Sequence, residues 1–318
     1  MPRPACRRVL VPLALLLASA ACPVAADNWP GWRGPHHDHT APDAGIPLDW
    51  SKEGKHVAWR TPLPGQAGAT PCVWGERIFL TSNDGDDLVV LAVAADDGRI
   101  LWKRKVGSGN QDARSGEGNS ASPSPSTDGR HVWTFFGTGI LACHTVDGEE
   151  VWRSDVNERF GRIDLQFGMT STPVLDGGSL YLQLIHGPMK LDDQTRTGKV
   201  VKLDAATGAT VWEIDRPTDA QFECKHSYAS PAIYRDDTRE FLVVHGADCT
   251  TGHGLADGGE LWRFGRVNGP TETNPKPHDP TFRFVASPGI VPGLIVLPTA
   301  KGGPTVALRV SYALSRSE

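Results

Sequence analysis

The residues able to bind or react are few and scattered. His36, His37 and His39 form the most metal-like cluster, since imidazole is a frequent ligand. They fall within four residues of a Pro/Gly-rich stretch, and neighbouring residues rarely converge on one ion. No zinc-type Cys/His spacing accompanies them, so they are read as a solvated loop and no metal is assigned. A second set comprises Glu117, Asn119, Gln166, Glu223, His226, Tyr228 and Arg283, all in segments leading into apolar runs. Brought together, they could bind a small polar ligand or a cation. The competing reading is that they hydrogen-bond loop backbone and water. No Gly-rich phosphate loop joins a strand to a helix, and no G-x-S-x-G elbow occurs, so no catalytic residue is assigned.

The elements that must hold these residues are repeats. A turn ending in Gly, then a short run, an aliphatic residue and Trp recur. The copies are DDGRILW at 96–102, VDGEEVW at 146–152, ATGATVW at 206–212 and DGGELW at 257–262. Their Trp spacings are 50, 60 and 50. A second unit, Ser/Thr-Pro before an apolar stretch, recurs in phase at Pro71, Pro123, Pro173, Pro231 and Pro288. A period near 50 residues indicates a propeller or similar array. Each repeat divides into four short strands, in the first case 70–74, 77–81, 88–94 and 99–106, as in a propeller blade. No helical period appears between strands, which argues against βαβ folds. The fold expected is all-β, a β-propeller of four-stranded blades.

One Trp per repeat, at a fixed place after a turn, implies repeated packing more than ligand stacking. Trp59, Trp102, Trp152, Trp212 and Trp262 are therefore assigned to wedge between blades, each indole N–H needing an acceptor. Residues 57–61 read as an outermost strand without inner strands before it, and 287–291, 293–298 and 304–310 as three inner strands without a fourth. The pieces are complementary and give about five blades.

The run LDAATGATVW at 203–212 is very close to the A-x-D-x-x-T-G-x-x-x-W tryptophan-docking motif, with Asp97 or Asp147 replacing its Thr in looser copies. On these residues the chain resembles the pyrroloquinoline-quinone (PQQ)-like propeller repeat family over about 59–310. That family includes quinoprotein alcohol dehydrogenases, the propeller lipoprotein of the outer-membrane assembly machinery, and many exported bacterial proteins. The opening Asn28-Trp29-Pro30-Gly31-Trp32-Arg33-Gly34-Pro35, with Pro47-Leu48-Asp49-Trp50, looks like the last group. Members usually have seven or eight blades, and 311–318 matches no repeat, so the resemblance implies a chain that is shortened, or whose reading frame is altered, near residue 310. In the dehydrogenase branch PQQ sits over the channel with Ca²⁺, an Asp base and a disulfide between adjacent cysteines. This chain has no adjacent cysteine pair, and no base or Ca²⁺ ligand set aligns. The resemblance therefore implies the fold and does not by itself imply a bound quinone, and no cofactor is assigned. The expected role is a non-catalytic platform for a protein partner or small polar ligand. The alternative is a PQQ/Ca²⁺-dependent alcohol dehydrogenase or its degenerate relative.

Arg3, Arg7 and Arg8, an apolar run over 9–21 and the small residues before Asp27 describe a secretory signal over 1–26, cleaved near Ala26. Lipoprotein anchoring at Cys22 is the less favoured alternative, because Ser19 stands where Leu is usual. The expected division is a lead-in over 27–56, the propeller over 57–310 and a tail over 311–318. All 37 acidic residues lie beyond residue 26 and three of the 32 basic ones before it, so the exported part carries 29 − 37 = −8. That balance, without a basic run, argues against nucleic acid and anionic membranes. No later segment is apolar enough to be a membrane helix. Of the four cysteines left, Cys224 and Cys249 are expected to pair. A hairpin of 229–234 with 241–246 has a pairing sum near 475, and these two sum to 473. Cys72 and Cys143 are expected to stay free.

Overall fold

The computed structural model describes residues 28–41, 47–51, 54–66, 68–112, 118–189, 197–272 and 275–311. The signal segment, Cys22, Glu117 and 312–318 lie outside them. Short apolar runs broken by Gly, Asp and Asn turns give antiparallel meanders. The first sheet is β1 (Cys72–Trp74), β2 (Arg77–Asp84), β3 (Asp87–Ala94) and β4 (Ile100–Ser108), and the second is β5 (Ser126–Thr127), β6 (His131–Phe135), β7 (Ile140–Thr145) and β8 (Glu150–Asp155). The third is β9 (Val174–Asp176), β10 (Ser179–Leu184), β11 (Thr197–Asp204) and β12 (Thr210–Pro217), and the fourth is β13 (Ala232–Arg235), β14 (Glu240–Gly246), β15 (Cys249–His253) and β16 (Glu260–Gly265). A three-stranded fifth sheet holds β17 (Gly289–Val291), β18 (Leu294–Leu297) and β19 (Val306–Arg309). One short helix, α1 (Val156–Phe160), follows β8. These sheets are propeller blades.

Hydrophobic clusters lie between successive sheets. Phe79, Leu88 and Val90 meet Val132 and Ala142, Leu141 and Phe135 meet Leu180 and Val201, and Tyr181 and Val200 meet Leu242 and Val244. The indoles tie the same interfaces. Trp102 Nε1 donates to Val146 O at 3.0 Å, Trp152 to Ala205 O at 3.0 Å and Trp212 to Leu255 O at 3.3 Å, each in the next blade's turn between its third and fourth strands. Residues 57–61 form no strand, yet Trp59 donates to Ala95 O at 2.9 Å and, with Leu63, covers the face of the first sheet. Trp262 packs edge-on against Phe241 and among Ile290, Leu308 and Val310 of the fifth blade.

The aliphatic residue before each Trp has a different job from the one its apolar character suggests. The ladder register slips just before the Trp in each of the four-stranded blades, leaving Leu101, Val151, Val211 and Leu261 without a direct partner; the first blade slips a second time at Val106. These are β-bulges. They turn the Trp toward the neighbouring blade and leave the preceding side chain 37–60% exposed. Simple alternation along the fourth strand therefore breaks at Leu101.

Gly208 sits beneath Trp152 with φ +70°, and a Cβ there would lie 2.9 Å from the ring. Gly208→Ala is expected to destabilise the chain by at least about 1–2 kcal/mol from left-handed backbone strain alone. Gly265→Ala, with open space around its Cβ, serves as the near-neutral comparison in urea unfolding. Equal midpoints for the two variants would refute the close-approach role.

The Ser/Thr-Pro corners also form a chain. Thr70 N donates to Ser124 Oγ, Ser124 N to Thr172 Oγ1, Thr172 N to Ser230 Oγ and Ser230 N to Ser287 Oγ, at 2.8–3.0 Å. In the second repeat the equivalent corner is thus Ser124-Pro125, two residues beyond the pair at Pro123. The sequence S-P-S-P offers both, and only the inter-blade hydrogen bond distinguishes them.

The expected disulfide is not formed: Cys72, Cys143, Cys224 and Cys249 are all free and buried. The hairpin register is the anticipated one, with Arg235 opposite Glu240 and Ala232 opposite Val243. It does not extend outward. β14 ends at Gly246, the chain reverses through Ala247 and Asp248 at φ 50° and 62°, and Cys249 opens the next strand. Cys224 lies in a single 3₁₀ turn at Phe222–Lys225, where its Sγ accepts from Asn268 Nδ2 at 3.4 Å. Cys249 Sγ instead accepts from Arg216 Nη2 at 3.0 Å.

Candidate functional site

The loops entering β9, β13 and β17 meet at one end of their blades because the first strands stand side by side, β13 lying against β17. The backbone fixes the junction. Tyr228 N donates to Phe284 O at 2.7 Å, Phe284 N donates to His226 O at 3.2 Å, and Ser227 forms a parallel bridge with Phe284. From this frame five of the seven loop residues come together. Arg283 Nη1 donates to Gln166 Oε1 at 3.0 Å and to Glu223 Oε2 at 2.5 Å. Its guanidinium lies over the Phe167 ring, 4.8 Å from the centroid. Gln166 N meets His226 Nδ1 at 3.5 Å, and Phe167 N donates to Tyr228 Oη at 3.3 Å.

The groups are graded in exposure. Gln166 is open to solvent, Arg283 and Glu223 are partly covered, and His226 and Tyr228 are buried. Burial holds His226 below the ordinary imidazole range and pushes the Tyr228 phenol up. His226 Nε2 pairs with Gly187 O at 2.8 Å, so its ring is a neutral strut in the floor. Nearby His186 is pushed down to about 4, first by burial. The rim thus presents a guanidinium held by a carboxylate and an amide on a neutral hydrogen-bonded floor. That arrangement can recognise a polar partner. Phe167 was missed by reading the polar residues alone, although it directly follows Gln166.

Asn119 stands apart. Its Oδ1 accepts from Ala121 N at 2.9 Å and its backbone O from Ser122 Oγ at 2.7 Å, so it braces its own loop before β5. The histidines at the N-terminus diverge. His37 Nε2 lies 4.0 Å from Asp176 Oδ1, and His39 packs edge-on against Trp32. Among the described residues no group of three or more His, Cys, Asp or Glu could hold a metal ion. The free cysteines are dispersed over β1, β7, the 3₁₀ turn and β15.

A family model described as outer membrane protein assembly factor BamB matches residues 48–187 and 138–311. A polyvinylalcohol dehydrogenase of a Pseudomonas species is 24% identical over 197 residues, covering 59% of this chain and 29% of that protein. The quinohemoprotein alcohol dehydrogenase of Comamonas testosteroni superposes with a TM-score of 0.60 at 13% identity, covering 90% of this chain and 49% of its own. The enzyme ADHIIG from Pseudomonas putida HK5 superposes with a TM-score of 0.50 at 17% identity, covering 80% and 43%. The chain therefore spans less than half the length of these three proteins. The structural likenesses speak for the fold.

Proposed function

We propose, for a chain that belongs to the outer membrane protein assembly factor BamB family of PQQ-like propellers, the role of an exported, non-catalytic binding platform. The observation that carries it is the loop cluster at the blade mouth, where Arg283, Glu223 and Gln166 form a preorganised polar rim over His226 and Tyr228. Preorganised polar groups lower the ordering cost of recognition. A protein partner suits the family's description, and a small polar ligand suits the size of the cluster. Export rests on the basic start and apolar run of residues 1–26. No helix of the described residues is long and apolar enough to cross a membrane.

A second reading, a PQQ/Ca²⁺-dependent alcohol dehydrogenase or its degenerate relative, is favoured by the similarity to the polyvinylalcohol dehydrogenase. One experiment separates the two. Purified protein is mixed with PQQ and Ca²⁺, and absorbance and dye-linked alcohol oxidation are followed. The platform reading expects no turnover. Saturable PQQ binding with alcohol-dependent dye reduction would replace it with the dehydrogenase reading.

A further inference from the structure

The lead-in does not trail away from the blades. Trp29 pairs with Val73 of β1, Thr127 N of β5 donates to Pro30 O at 2.8 Å, and His37 reaches Asp176 at the end of β9. Arg33 Nη2 donates to Pro288 O at 2.5 Å, at the threshold of β17. Residues 29–37 therefore strap across the first strands of four blades. Beneath the strap lies a cavity of about 310 Å³. Its walls include Trp32, Trp133, Val174 and Leu175, and it shares no lining residue with the loop cluster around Arg283.

Arg33 lines this cavity and is only 5% exposed. Among the described residues it has no carboxylate partner, and its Nε has no hydrogen-bond partner at all. The Trp32 face, 4.7 Å away, is its aromatic neighbour. The acidic residues of the same cavity are already engaged. Asp176 takes both Nη atoms of Arg235 at 3.2 and 3.0 Å, and Asp128 accepts from Arg130 N and His131 N at 2.8 and 2.7 Å. Buried charges are as a rule paired, because desolvating an isolated ion is expensive. A buried guanidinium with no carboxylate partner, lining a largely apolar cavity, lacks an anion.

We infer that the cavity beneath the N-terminal strap binds a small organic carboxylate, its charged end on Arg33 and its apolar body against Trp32, Trp133 and Leu175. Guanidinium is suited to this because its planar fork matches a carboxylate. The site is independent of the loop-cluster reading.

The test uses the full exported chain and calorimetric titration with sodium benzoate, with benzamide as the neutral isostere. Saturable benzoate binding is expected, with benzamide about tenfold or more weaker, since only the anion can form an ion pair with the guanidinium. Arg33→Met should abolish benzoate binding, while its unfolding midpoint without ligand equals or exceeds that of the parent, because an uncompensated buried charge has been removed. Arg33→Lys retains the charge and should bind benzoate more weakly than the parent and more tightly than Arg33→Met. Absence of benzoate binding up to roughly 10 mM would overturn the inference. So would equal affinity for benzoate and benzamide, a comparison that needs no variant to fold. A sharply lowered midpoint for Arg33→Met would instead make Arg33 a structural tie to Pro288 and defeat the inference.

Discussion

Trp212→Ala is expected to lower the unfolding free energy by about 3–5 kcal/mol, as for other buried aromatic truncations. Trp212 is 9% exposed, within a cluster that joins the third and fourth blades through Tyr181, Val200, Leu242 and Val244. The Tyr181 ring lies 6.1 Å from it, and its ring stands over Gly258, where a Cβ would approach to 2.8 Å. Truncation removes the wedge and its hydrogen bond to Leu255 O while leaving both sheets rigid, so the gap cannot close easily. Trp32, half-buried in the strap outside the sheets, should cost less on the same change. Urea unfolding followed by far-ultraviolet dichroism measures both. An unchanged midpoint for Trp212→Ala would show that the inter-blade contact contributes nothing.

Much of this architecture was legible because propeller repeats write local rules in every copy. The three strands of the fifth blade, Gly289–Val291, Leu294–Leu297 and Val306–Arg309, fall within the three runs read from sequence. The turn glycines and Trp residues repeat because each interface needs the same close approach. The limits appear where a rule depends on a neighbour. Nothing local separates Ser122-Pro123 from Ser124-Pro125, since the choice is made by Thr70 in the preceding blade and Thr172 in the following one. Cys224 and Cys249 show the same limit for pairing. The local register was correct from Arg235 to Ala232, but its extension assumed a straight hairpin, and the turn at Ala247-Asp248 sends Cys249 into another strand. Trp133 carries no repeat signature, yet its Nε1 donates to Ala205 O at 2.7 Å, the same carbonyl that Trp152 uses.

The candidate site divides in the same way. Gln166, Glu223, His226, Tyr228 and Arg283 could be grouped from sequence because they precede strands occupying equivalent places in successive blades. Asn119 satisfied that criterion and turned inward to its own loop, since a short side chain two residues from Ala121 N finds a backbone partner first. Arg33 could not be flagged, because its burial depends on the strap crossing four blades. A lone arginine in a Pro/Gly-rich segment otherwise reads as solvated.

Acid is expected to unfold the protein more readily through a defined window. His245 is fully buried, its Nδ1 paired with Thr250 Oγ1 at 2.8 Å and its Nε2 with Pro298 O at 3.0 Å, with the Phe284 ring edge-on 4.9 Å away. Burial, aided by the Arg216 charge, pulls it down to about 4, while the Pro298 carbonyl opposes the shift. The unfolded chain titrates near the ordinary value of about 6.5. Between these values the unfolded state holds a proton that the native state refuses, so stability falls as pH falls from about 6.5 to about 4. Above that window the contribution is fully present. Across the window this one group accounts for a loss on the order of 3 kcal/mol. His186, also drawn down to about 4, acts in the same direction. His245→Gln keeps a donor and an acceptor but cannot titrate. Urea midpoints measured from pH 7 to pH 4 should therefore fall less steeply in the variant, by close to one proton in the linkage slope. Parallel pH profiles for the two proteins would mean that His245 is charged in the native state or that the site admits water.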